Sequence, residues 1–257
     1  MLLRRITQHV KDQNWFAIGI DFFIVVIGVF IGIQVSNWNE ARTDSMREKV
    51  VLADLLDDLK ADQASVSSSL QLVTLGIDAG NVLLLDADLE PIQSLSVPPP
   101  SGIFLSDEAL NVALPSQPTD DFRRELWTYS IMRLYPSHND GTIESLIAAD
   151  NSSIIQNEAL VRDLLRYRTL WTGLEDAQIN TFRPFRDRIV FAGQEHGFSP
   201  LTSIDHDVLV EALRTDPALR GALRTMINFS ILQLGYYERM QYESAALATR
   251  VEAELKK

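Results

Sequence analysis

The apolar positions of the chain fall into two regimes. Residues 15–35 read WFAIGIDFFIVVIGVFIGIQV, with Asp21 the one polar interruption before Gln34. About 20 apolar residues at ~1.5 Å rise each cross the ~30 Å hydrocarbon core of a bilayer. The pattern therefore predicts a transmembrane helix over 15–36, behind a short basic tail at 1–14. Further on the pattern turns periodic. Leu52, Leu56, Leu59, Val66, Leu70, Val73, Ile77 and Leu84 recur at alternating steps of four and three, with lapses at Gln63 and Gly80. A sustained repeat of about 3.5 residues predicts a helix with a narrow apolar seam, here a long juxtamembrane helix over 37–90. Such a seam serves a coiled coil with a second copy or packs inside the chain's own bundle. The lapses favour the bundle.

Prolines and turn residues divide the rest. The segment 91–104, PIQSLSVPPPSGIF, loses backbone donors at Pro98, Pro99 and Pro100 and is expected to be a Pro-rich surface linker. The remainder of the helical domain is 105–257. A helix from Asp120 to about Tyr135, capped by Thr119 or Asp120, is expected to bury Phe122, Leu126, Ile131 and Leu134. PSHNDG at 136–141 and DNSS at 150–153 read as turns around a short helix. The next helix buries Leu160, Leu164, Trp171 and Leu174 and is ended or kinked by Pro184. Ser203 is expected to cap a short helix, and Asp216-Pro217 to open the last one. No strand alternation stands out. The expected fold class is all-α: one N-terminal transmembrane helix, then an extramembrane helical bundle whose first and last helices are long enough to pack antiparallel.

The ends of the apolar run bear on membrane attachment. Trp15 and Trp38 bracket it at interfacial depth, and Gln34, Asn37, Asn39 and Glu40 place polar groups at the same level. A cleaved signal peptide has a shorter apolar core and a small-x-small site, neither of which fits here, so an uncleaved signal-anchor is favoured. Arg4, Arg5 and Lys11 precede the span and Arg42, Arg47 and Lys49 follow it, which ties the positive-inside count. The amino terminus adds one charge on the short side. The expected orientation is a cytoplasmic N-terminus and a periplasmic domain in a bacterial inner membrane. Gly28 and Gly32 form a G-x-x-x-G strip, and Asp21, seven residues earlier, shares its face. Either these three make a helix–helix contact in the membrane, or Asp21 sits near the headgroups and the glycines are ordinary.

Charge narrows the partners. The net charge is −12. Three basic and three acidic residues cancel in 1–40, so the whole excess belongs to 41–257. A domain this acidic is a poor match for nucleic acid. The expected partners are the lipid bilayer and another membrane protein or a second copy. There is no cysteine, which excludes disulfides and thiolate chemistry.

The segment IGVFIGIQVSNWNEAR, residues 27–42, resembles an uncharacterised bacterial family of single-span membrane proteins. The resemblance rests on Gly28, Gln34, Asn37, Trp38, Asn39 and Glu40 and covers roughly residues 1–45. A looser similarity follows over 140–168. It implies membrane attachment and a helical extramembrane part, and it brings no activity, ligand or catalytic residue.

Catalytic patterns are absent from the sequence. It holds no G-x-S-x-G, P-loop, G-x-G-x-x-G or H-E-x-x-H, and no cofactor motif. His138, His196 and His206 each lie near an acid, but no two share metal-ligand spacing, so exposed loop histidines are expected. NDG at 139–141 lacks the rest of a calcium loop. Asp57 and Asp58 read as surface charges, and Ser65, Ser67, Ser68 and Ser69 as a solvated patch. Among the aromatic residues, Trp171 and Tyr237 are candidates for a ligand cleft between helices, against the plainer reading as core. Three functions follow in order: a non-enzymatic interaction or accessory subunit, a periplasmic small-molecule sensor, and an enzyme of unidentified type.

Overall fold

The computed structural model describes residues 15–96, 111–116, 118–148 and 154–257, with side chains from residue 19 onward. It is all-α, with no strand among the described residues. The helices are α1 (Trp15–Asp86), α2 (Asp120–Arg124), α3 (Leu126–Ile131), α4 (Gly141–Ala148), α5 (Glu158–Ala177), α6 (Arg183–Gln194), α7 (His206–Thr215) and α8 (Pro217–Leu255). Two compact units divide the chain, Met1–Val50 and Val51–Lys257.

In the first unit, every described side chain from 19 to 42 is exposed. The N-terminal part of α1 is long and apolar enough to cross a membrane.

In the second unit, the rest of α1 is a core helix. Its buried rows are Leu52, Leu59, Val66, Val73 and Gly80 on one side and Leu55, Asp62, Ser69, Gly76 and Leu83 on the other. The steps alternate between three and four, so the heptad holds, but its phase differs from the expected one. Leu56 and Leu70 are only half-buried, while Asp62 and Ser69 are fully enclosed. The seam is buried by the chain's own helices.

Helix α8 pairs with α1 in the opposite direction. Gly80 faces Ile227 and Leu223. Arg133 reaches from Gly76 to Ser230, and Tyr167 from Asp62 to Ser244. As α1 numbers fall, α8 numbers rise. Helix α5 is also antiparallel to α8: Asn157 donates to Glu254 (2.8 Å), Arg250 pairs with Asp163, and Arg166 with Glu243 (3.1 Å).

The helix ends follow local chemistry. Helix α1 stops with Asp88 at φ 60°, while Leu89 N–H reaches Leu84 O and Asp88 N–H reaches Leu85 O. Asp tolerates the left-handed region better than most residues, and Arg214 binds its carboxylate (2.6 Å). Thr119 caps α2, and Asp216 with Pro217 opens α8, as expected. Asp205, not Ser203, caps α7; Ser203 Oγ instead donates to Glu125. The helix expected through Tyr135 is broken at Glu125 and ends at Ile131. Pro184 does not end the helical path. A π turn, Gln178–Phe182, precedes it and joins α5 to α6. Proline offers no N–H to the carbonyl four residues back and its ring crowds that carbonyl, so a widened turn accommodates it.

The start of the expected linker is not a free surface strand. Asn81 Nδ2 donates to Ile92 O (2.9 Å), and Ile92 N–H donates to Asn81 Oδ1 (2.8 Å), which buries Ile92. Pro98, Pro99 and Pro100 lie outside the described residues, as does the DNSS turn.

Asp216 also ties stability to pH. A hydrogen bond from His196 (2.8 Å) and then one from Ala218 N–H hold its carboxyl below the usual carboxylate range. A depressed folded-state pKa stabilises above the unfolded value and is lost as pH falls through the folded one. Urea midpoints should therefore fall on acidification below the ordinary carboxylate range. Asp216→Asn keeps a capping oxygen and should flatten that decline; an unchanged pH profile would refute the coupling.

Candidate functional site

The candidate residues and their neighbours fall in three places. Along α1, Asp21, Gly28, Gly32, Gln34, Asn37, Trp38, Asn39 and Glu40 are all helical and exposed. A Cβ added at Gly28 or Gly32 meets nothing within 4 Å, so the strip is open. Trp15 begins the helix, and its side chain lies outside the described atoms.

The second place is built on Asp62. Its side chain is 1 % exposed, and a carboxylate enclosed that far must be fully hydrogen-bonded. Oδ1 accepts from Asn139 N–H (2.7 Å) and Asn139 Nδ2 (3.1 Å). Oδ2 meets His138 Nδ1 (2.9 Å) and accepts from Tyr167 OH (2.9 Å). The His138 ring stacks on Trp171 at 4.8 Å and 5°, with Tyr167 edge-on to both. Burial, then the charge of Asp62, pushes the Tyr167 hydroxyl far above its usual range, so it stays a donor.

Two neighbours on the same face of α1 extend the contact. Asp58 Oδ2 accepts from Thr142 N–H (3.2 Å), and Ser65 Oγ accepts from Ser137 N–H (2.9 Å). Residues 58, 62 and 65 thus hold the backbone at 142, 139 and 137. His138 is therefore not an exposed loop histidine, and Asp58 and Ser65 are not merely solvated. The signal in the sequence is the heptad row Leu55, Asp62, Ser69, Gly76 and Leu83, which sets an acid and a serine between leucines.

This cluster resembles a catalytic dyad in composition only. His138 Nε2 is buried with no hydrogen-bond partner among the described residues, so no described nucleophile stands beside it. The other described histidines have different acids: His196 binds Asp216 (2.8 Å), and His206 lies 3.3 Å from Asp86. No group of three or more His, Asp or Glu poised for a metal ion occurs among the described residues.

The third place surrounds Tyr237. Trp171 and Tyr237 are both fully buried, so neither lines an open cleft. Tyr237 OH accepts from Gln233 Nε2 (2.6 Å) and neighbours Gln178 and Arg133. Burial pushes its pKa far up. Desolvation pulls the Arg133 guanidinium down to about 10. Two depressions lie on the described surface: one lined by Asp163, Arg166, Tyr167, Glu243 and Arg250, and a more open one by His196, Phe198, Val208 and Glu211.

Fold and sites together define an all-α chain with an N-terminal apolar helix of membrane-crossing length and a bundle organised by buried polar groups. The model of a family of unknown function (DUF6090) matches residues 21–93. That stretch takes in most of the apolar part of α1, the Asn-Trp-Asn-Glu run, the part of α1 that carries Asp62, and the clamp at Ile92. It leaves out 140–168, where a looser similarity was expected. No curated protein and no solved structure matches the chain.

Proposed function

We propose that this chain is a membrane-anchored, non-enzymatic interaction or accessory subunit. The carrying observation is the first part of α1. Ile20, Phe22, Phe23, Ile24, Val25, Val26, Ile27, Val29, Phe30, Ile31, Ile33 and Val35 are each at least 40 % exposed, on every side of the helix. At about 1.5–3 kcal/mol per side chain kept from water, this surface favours a hydrocarbon surrounding by on the order of 20 kcal/mol. An apolar helix with no polar face is a membrane span or a core helix, and this one has no core around it.

In this reading the N-terminus is cytoplasmic and the bundle periplasmic, and the helix meets a partner span along Asp21, Gly28 and Gly32. Close backbone approach at the glycines would supply the contact. The non-enzymatic character is supported by the three described histidines being held by three different acids. The partner is another membrane protein or a second copy.

The test is native mass of the full-length protein in mild detergent, with identification of co-purifying chains. The wild type is expected to run as an assembly, and Gly28→Leu with Gly32→Leu to run smaller. An unchanged complex size in the double variant would remove the span contact from the reading.

A further inference from the structure

Residues 37–50 of α1 read NWNEARTDSMREKV and belong to the first unit. Their side chains are exposed or half-buried. At about 100° of turn per residue, the charges of Glu40, Arg42, Asp44, Arg47, Glu48 and Lys49 ring the helix except for one stripe about 140° wide. Asn39, Thr43, Met46 and Val50 fill that stripe. Beyond the interfacial Trp38, Met46 and Val50 are the large apolar side chains of this charged stretch, and they stand 53 % and 61 % exposed. Thr43 Oγ1 donates to Asn39 O (2.9 Å), so its hydroxyl is satisfied within the helix. A face of this kind, outside any core, is one that a neighbouring helix covers.

The stripe continues the glycine strip of the span. Gly28, Asn39 and Val50 are spaced 11 residues apart, as are Gly32 and Thr43, and Val35 and Met46. An 11-residue repeat keeps one face in line along a helix and favours a right-handed supercoil. Glycines four apart also bring two helices together in a right-handed crossing. The span and the charged stretch after it therefore ask for the same contact with the same hand.

Register and flanking charge decide what covers the stripe. Two copies enter the bilayer by the same end, so residue 39 of one lies level with residue 39 of the other. A two-fold contact then sets the stripe on itself. Asn39 meets Asn39, the kind of polar pair that fixes register on a parallel helix seam. In a parallel pair each flank of one helix faces the opposite flank of the other. Glu40 and Arg42 lie on opposite flanks, so Glu40 of each copy faces Arg42 of the other, twice by symmetry. Arg47 and Lys49 also face each other, and Asp44, 3.9 Å from Arg47, offsets that repulsion. We propose that a second copy of this chain covers the stripe, in a parallel two-fold pair running from Gly28 to Val50. The proposal rests on the membrane-span reading above and names the partner of that contact.

The chain has no cysteine, so single introduced thiols report the contact without background. Asn39→Cys, Met46→Cys and Val50→Cys, each in the full-length protein in membrane vesicles, are treated with a mild oxidant beside Ala41→Cys and Ser45→Cys, which lie away from the stripe. The stripe positions are expected to give disulfide-linked homodimer about tenfold faster than the two controls, because thiols held together react at a raised effective concentration. All five positions are exposed or half-buried, so the substitutions leave the fold intact. Equal rates at all positions, or no homodimer at any, overturn the proposal. Equal rates together with a stoichiometric foreign membrane protein in the native complex would remove the second copy and leave the accessory-subunit reading standing.

Discussion

Asp62→Ala is expected to lower the unfolding free energy by about 3 kcal/mol or more. The carboxylate is the shared acceptor for His138, Asn139 and Tyr167. Its removal leaves a buried phenol and two donors of Asn139 without partners, and each enclosed orphan costs about 1–3 kcal/mol. A cavity of carboxylate size adds to the loss. Hydrophobic replacement does not rescue it, because the surrounding donors remain. Urea denaturation followed by Trp171 fluorescence is the measurement, since that indole stacks on His138. A loss under 1 kcal/mol would mean that water replaces the carboxylate, and the cluster would then be no keystone of the bundle.

Gly193→Ala carries the second large effect. A Cβ at Gly193 would lie 2.2 Å from Trp127 Cζ2 and 2.3 Å from Cη2. Trp127 is 2 % exposed and meets Phe198 edge-on at 5.5 Å, so the rigid ring has nowhere to retreat. Overpacking of this kind costs about 1–3 kcal/mol and occasionally more. The upper end is expected here, because α6 or the indole must shift as a body. Gly173→Ala is the internal control. It lies in α5 with nothing within 4 Å of the added methyl, and should stabilise by about 0.5–1 kcal/mol. Thermal midpoints moving in opposite directions for two glycine-to-alanine changes would confirm that packing, not helix propensity, governs Gly193. A stable Gly193→Ala would mean that α3 and α6 pack less tightly.

The parts of the fold written in local pattern were legible. Alternating steps of three and four announced α1, Asp216-Pro217 announced α8, and the absence of strand alternation left an all-α chain. What escaped was set by contacts between distant residues. A heptad seam defines a stripe but leaves its phase to the partner helices, and here they place Asp62 inside and Leu56 at the margin. Pro184 signals a disturbance, but only α6 packing on α8 decides that the helix resumes after a π turn. Arg133 and Tyr135 sit in an extended stretch with no periodicity to announce burial. Trp171 and Tyr237 are cleft candidates by residue type, but both are enclosed, and sequence alone does not tell a lining residue from an enclosed one.

The stretch from Met132 to Asp140 has no helix or strand of its own. Its shape is dictated from outside, by Asp58, Asp62 and Ser65 reading the amides at Thr142, Asn139 and Ser137. A segment held this way has no local structure to retain once the template leaves. Order in 132–140 and docking of α1 therefore form a single cooperative event. The loop keeps its shape only while α1 is seated, so a mobile α1 would unmake Arg133, Tyr135 and His138 as a set.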